Sequence, residues 1–149
     1  MAISRGSGTE IIRSIQLENL VDNPEELIFG VQHHIYTVLS IIVHATGLNA
    51  DRNFIHCYLQ GYDSLGGTTA QTINIFRQDM SVNQTYVWND KFSFNGHEPV
   101  DFSAGMDSIV KQDAIADQGS AVVQKLFVYG EHSSDNFDVI CTYIDQNNA

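Results

Sequence analysis

The chain has 149 residues, 18 of them acidic against 7 basic, for a formal net charge of -11. That length suits one domain with a substantial core, burying roughly 70% of the surface its unfolded chain would expose. A field of this sign repels phosphate backbones and anionic headgroups, which argues against nucleic acid and membrane surfaces as partners. The longest apolar run, Val38 to Val43 broken by Ser40, falls far short of the ~20 residues a spanning helix needs.

Met1 to Gly8 is small and polar, and no apolar stretch follows Arg5. The segment therefore reads as a mobile or partner-ordered arm and not a secretory signal, with the product staying in the cytoplasm where it is made. The arm is expected to cover residues 1–12, and a single domain residues 13–149. Glu10 to Leu20 fits either a helical stripe through Ile11, Ile12, Ile15 and Leu20 or a strand, and its isoleucines favour the strand. Asn23-Pro24-Glu25-Glu26 breaks it, because proline restricts its own backbone and that of Asn23.

Ile35 to Ala45 is the expected central core strand, with Ile35, Leu39, Ile41, Val43 and Ala45 on one face and Thr37 intruding. After turn residues at Thr46 to Asp51, Asn53 to Tyr62 alternates Ile55, Cys57 and Leu59 against Phe54, Tyr58 and Tyr62. Both faces of that strand are partly apolar, so it is expected to be covered twice. Asp63 to Thr69 is a loop by composition, and strands follow at Gln71 to Gln78, Gln84 to Asp90 and Lys91 to Asn95. Asn95-Gly96 is the strongest hairpin dipeptide, since both central positions of a type I′ turn need a positive φ. Short strands are expected at Val100 to Phe102 and Asp107 to Lys111. Val122 to Gly130 and Phe137 to Asp145 then form a C-terminal hairpin around the polar tip Glu131 to Asn136. Eight or nine short antiparallel strands make an all-β, two-sheet β-sandwich of jelly-roll type, with an extended N-terminal arm.

The chemistry-bearing constellations are thin. Gly6-Ser7-Gly8-Thr9 resembles part of a phosphate loop but lacks the lysine and the preceding strand. Ser108 and Lys111 have the spacing of a serine-lysine acyl enzyme, yet on a strand they face opposite sides. His44 and His56 would sit across from each other if their strands paired through a symmetric turn, but nothing completes four zinc ligands. The adjacent His33 and His34 diverge on a strand and suit a surface or interface. Glu98, Asp101, Asp107, Asp113 and Asp117 lack the spacing of a calcium loop and read as a solvated face. Tyr86, Trp88, Phe92 and Phe94, with Tyr58 and Tyr62, belong first to a sandwich core and second to a sugar-stacking platform. Cys57 and Cys141 lie in apolar runs and are expected to be reduced and buried. Asn83-Gln84-Thr85 matches a glycosylation acceptor, which means little without export. No enzyme activity, metal or cofactor is expected.

Three segments carry a family likeness: His34-Ile35-Tyr36-Thr37-Val38, Phe102 to Val110 with Ala104-Gly105-Met106-Asp107-Ser108-Ile109, and Phe137 to Ile144. Together they resemble small β-sandwich virion proteins of tailed bacteriophages, in which a "YTV" strand, an "AGDSI" turn and a final hairpin recur. Met106 interrupts the Gly-Asp pair, and Leu39 and Ser40 replace a proline and a glycine. The resemblance implies a non-enzymatic capsid decoration or cement protein, a homotrimer on the outside of the virion shell, and it carries over no catalytic residue. Ile3, Arg5, Thr9, Ile11 and Ile12 would then dock on the major capsid protein, and Tyr58, Tyr62, Phe127 and Tyr129 would supply subunit contacts. The alternative is a tail- or fibre-associated carbohydrate- or receptor-binding module using the aromatic set and the tips Asp63 to Thr69 and Glu131 to Asn136.

Overall fold

The computed structural model describes residues 9–63, 68–99, 108–116 and 121–147. Among these, the strands are β1 (Thr9–Leu20), β2 (Glu25–Phe29), β3 (His34–Gly47), β4 (Arg52–Asp63), β5 (Thr68–Ser81), β6 (Thr85–Trp88), β7 (Phe92–Asn95), β8 (His97–Pro99), β9 (Ala121–Val123), β10 (Lys125–Gly130) and β11 (Asn136–Asn147), with one helix, α1 (Ile109–Ala116). One sheet runs β1-β11-β3-β6, with β7 also paired to β3; the second runs β2-β10-β4-β5; β8 and β9 pair separately. Every pairing is antiparallel. With β6 and β7 counted as one row on β3, the two sheets interleave in sequence as a jelly roll does. The all-β sandwich read from the alternation is therefore the fold.

The core lies between the sheets. Ile41, Val43 and Ala45 of β3 and Val139 and Cys141 of β11 face Ile55 and Cys57 of β4 and Leu126 and Val128 of β10, all buried. β10, and β11 from Asn136 to Cys141, bury every second residue because successive side chains leave opposite faces of the pleat. On β3 the phase changes partway. Its pairing with β11 skips from Ser40↔Thr142 to Val38↔Tyr143, so Leu39 is an extra, bulged residue. Tyr36 and Val38 consequently point inward, and Ile35 and Thr37 point outward. The single apolar face expected from Ile35 to Ala45 is thus two half-faces joined at a bulge.

Four further expectations are corrected. Thr9 to Ile12, assigned to an arm, are the start of β1, held to β11 through Thr9↔Asn147 to Ile12↔Ile144. Asn95-Gly96 makes no hairpin: β7 pairs with β3 and β8 with β9. Asn95 is not among the non-glycine residues with positive φ, which a type I′ turn would require. Glycine is needed there for a close crossing instead. The Gly96 amide donates to the His34 carbonyl (2.8 Å), its carbonyl accepts from the Gln124 amide (2.9 Å), and the Gly30 amide donates to the Gln124 carbonyl (2.9 Å).

The C-terminal strands do not pair with each other either. β10 lies between β2 and β4, and β11 between β1 and β3, so residues 131–135 carry the chain from one sheet to the other. Buried Asp135 organises that corner, accepting from the amides of Asn49 and His132 (2.9 Å each) and from Asn53 Nδ2 (2.9 Å). Finally, Ile109 to Lys111 are helical and not a strand. The Gln112 amide donates to the Ser108 carbonyl (3.1 Å) at the helix start, and Lys, Gln and Ala downstream are good helix formers. The expected strand Val100 to Phe102 lies outside the described residues.

Candidate interaction surface

Because Ile55 and Cys57 on β4 and Leu126 and Val128 on β10 point into the core, their sequence neighbours must point out. Phe54, His56 and Tyr58 therefore share the outer face of the second sheet with Lys125, Phe127 and Tyr129. The register places Phe127 opposite Tyr58 and Tyr129 opposite His56. Their rings form a continuous ladder. Tyr58 stacks on Phe127 at 5.0 Å and 15°, meets Tyr129 edge-on at 5.7 Å, and Tyr129 lies flat on His56 at 4.7 Å and 7°. Phe54 extends the row beyond His56 at 6.4 Å.

A cation covers each end. The Arg77 guanidinium from β5 lies 3.6 Å over the Phe54 ring, and Lys125 Nζ lies 4.8 Å from Phe29 and 5.8 Å from Phe127. Both charges are matched. Glu131 Oε1 is 2.7 Å from His56 Nε2 and 3.4 Å from an Arg77 nitrogen, and Glu26 Oε1 is 3.5 Å from Lys125 Nζ. Each aromatic pair is worth about 0.5–1.5 kcal/mol beyond its buried area, so the ladder is rigid before any partner arrives. Burial, and to a lesser degree the neighbouring Tyr129, pushes the Tyr58 phenol up from its ordinary value, which keeps it protonated.

Beside the ladder lies a groove of about 300 Å³ lined by Pro24, Tyr58, Thr72, Asn74 and Tyr129. A bulge builds it. The pairing of β4 with β5 jumps from Cys57↔Phe76 to Tyr58↔Asn74, leaving Ile75 unpaired. Without that extra residue Ile75 would face Tyr58; with it, the Asn74 carboxamide does.

Of the expected subunit contacts, the structure brings Tyr58, Phe127 and Tyr129 together, while the Tyr62 side chain lies outside the described residues. Of the expected arm contacts, Ile3 and Arg5 lie outside them too. Thr9, Ile11 and Ile12 sit on β1 in the other sheet, where Ile12 is 71% exposed. Sequence reasoning missed His56, Arg77, Lys125 and Glu131 as members of the face. Alternation put Phe54 and Tyr58 on one side, but the cations and Glu131 arrive from other elements through long-range register.

The remaining constellations separate. His44 and His56 occupy different sheets, because β3 and β4 do not pair; His44 Nδ1 lies 2.9 Å from Thr85 Oγ1. His34, expected at a surface, lies 2.5 Å from buried Asp145, which also meets Arg13 at 3.1 Å. Ser108 and Lys111 are on a helical segment, so the strand argument against their pairing does not apply, and the Lys111 side chain lies outside the described residues. Of the acidic run only the Asp113 side chain is described, and it is exposed. Among the described residues no three His, Cys, Asp or Glu side chains converge as metal ligands. No helix there is long and apolar enough to cross a membrane. Tyr86, Trp88, Phe92 and Phe94 pack on one another and on Phe76 against the core, where such rings first belong. Cys57 and Cys141 are free and buried; burial pushes the Cys141 thiol up to about 12 and raises the Cys57 thiol too, with Cys141 adding to the latter.

No family model matches the chain, and no curated protein matches it. Among solved structures it is similar to a chain of the disulfide-linked pili of Bacillus endospore appendages, at 9% identity and TM-score 0.44 over 100% of this chain and 97% of that one. It is also similar to a chain of the infectious bursal disease virus Gx strain, at 9% identity and TM-score 0.41 over 93% of this chain and 32% of that one. Neither likeness carries a functional argument.

Proposed function

We propose that this chain is a non-enzymatic structural protein of a bacteriophage virion, a decoration or cement protein on the capsid exterior. In this reading it self-associates, as a homotrimer, through the outer face of the β2-β10-β4-β5 sheet, and binds the major capsid protein through the segment ahead of β1. The observation that carries it is the ladder of Phe54, His56, Tyr58, Phe127 and Tyr129. Aromatic side chains and arginine are the residues enriched where proteins meet, and here they are pre-stacked on a rigid sheet. A jelly roll serves capsid proteins, lectins and cupins alike, so the fold supports this role without selecting it. Binding only to the assembled shell would stabilise that shell by mass action.

The test is co-sedimentation with shells stripped of this chain. The full chain is expected to bind and a variant lacking residues 1–8 to bind more weakly; equal binding removes the arm from the account, and no binding by the full chain removes the reading. The cut belongs at residue 8, because Thr9 to Ile12 are paired strand residues whose loss would confound docking with unfolding.

A further inference from the structure

We propose that the groove between Tyr58, Tyr129, Thr72, Asn74 and Pro24 is a binding site for a neutral saccharide ring. Three observations converge on it. First, its volume of about 300 Å³ is at the lower end of small-molecule sites and suits a single sugar unit. Second, two phenol rings stand edge-to-face in its wall, 5.7 Å apart; with Tyr58 stacked on Phe127 and Tyr129 on His56, what they offer the C–H groups of a sugar is ring edges and one remaining face. Third, its polar groups are unspent. Among the described residues the side chains of Tyr58, Tyr129, Thr72 and Asn74 make no hydrogen bond to one another or to any neighbour. The Asn74 carboxamide is there because the Ile75 bulge turns it outward beside Tyr58. Together these groups present three hydroxyls and an amide, each donor and acceptor at once, which is the complement of vicinal sugar hydroxyls.

The charge balance selects a neutral ligand. The groove lining holds no charged side chain, the cations at the ends of the ladder, Arg77 and Lys125, are matched by Glu131 and Glu26, and the chain as a whole is at -11, so nothing in the groove favours a carboxylate or sulfate. The inference stands apart from the virion reading but touches it. A second copy seated over Tyr58 and Tyr129 would exclude the sugar, so saturating sugar shifts the chain toward monomer by linkage.

The experiment is a ¹⁵N chemical-shift titration of the full chain with the methyl glycosides of glucose, galactose, mannose and N-acetylglucosamine, with sialic acid as the charged comparison. At least one neutral glycoside should shift the amides of residues 58, 72, 74 and 129, and Asn74→Ala should weaken it about tenfold, the value of one lost hydrogen bond. Thr72→Val, on the exposed side of β5, is the second variant, and wild-type melting of each keeps folding out of the result. Absence of shifts into the tens of millimolar, shifts elsewhere on the surface, binding unmoved by Asn74→Ala, or preference for sialic acid would each overturn the assignment. Sugar binding that leaves the oligomer intact would keep the site and remove the self-contact from this face; an oligomer without sugar binding would do the reverse.

Discussion

Replacing Gly96 with alanine separates two accounts of the same dipeptide. If Asn95-Gly96 were the type I′ turn its sequence suggests, an alanine at positive φ would cost about 1–2 kcal/mol. In the structure a Cβ at Gly96 would overlap the Val31 carbonyl oxygen and lie 2.6 Å from the Val31 nitrogen, both of them backbone atoms that cannot rotate away. The chains must part, and what holds them is the set of backbone hydrogen bonds linking Gly96 to His34 and Gln124, and Gln124 to Gly30. Overpacking costs about 1–3 kcal/mol and each weakened buried hydrogen bond about 1 more, giving a loss of about 3–5 kcal/mol. For a chain of this length that lowers Tm by roughly 6–20 °C. Urea unfolding followed by the fluorescence of Trp88, which packs against the core, measures it directly. A loss below about 2 kcal/mol would refute the crossing and restore the turn. The consequence reaches the interaction surface, since Gln124 is the residue that leads into β10 and its Phe127 and Tyr129.

Two further outcomes follow from buried groups. Asp135→Ala leaves the amides of Asn49 and His132 and the Asn53 carboxamide without their acceptor and should cost about 3 kcal/mol or more in urea unfolding, whereas Asp135→Asn, which keeps one oxygen, should cost less. At alkaline pH the sign is fixed by raised values: Cys141 goes from 9.0 to about 12, Tyr36 from 10.0 to about 12 through burial, and Cys57 upward as well. These groups ionise in the unfolded chain first, so their stabilisation is complete below about pH 9 and is lost as pH rises toward 12, by up to about 1.4 kcal/mol per pH unit for each. A urea midpoint that holds constant from pH 8 to 11 would contradict the burial of these groups.

What the sequence disclosed was periodicity, and what it withheld was partnership. Alternation in Asn53 to Tyr62 and Val122 to Gly130 separates Ile55, Cys57, Leu126 and Val128 from Tyr58, Phe127 and Tyr129, because the pleat alone decides which side a residue takes, although the second run is split at Gln124 into β9 and β10. It says nothing about which strand lies alongside. β10 and β11 are neighbours in sequence but members of opposite sheets, and so are β3 and β4, which is why the expected hairpin and the His44–His56 pair dissolve together. The bulges at Leu39 and Ile75 are invisible for a related reason. An extra residue is defined only against a partner strand, yet it decides which way Thr37 and Asn74 point. In α1, β-branched Ile109 and Val110 favour a strand by propensity, and both stay exposed on a helix whose downstream residues outvote them.

The aromatic face should meet another copy of the chain. Sedimentation velocity of the purified protein and of Phe127→Asp, at matched concentrations and with urea midpoints recorded, asks this directly. The wild type should run as an oligomer and Phe127→Asp as a folded monomer, less stable by about the lost ring contacts, on the order of 1–2 kcal/mol. A wild type that stays monomeric across the concentration range, or a Phe127→Asp variant that keeps the wild-type mass, would contradict it.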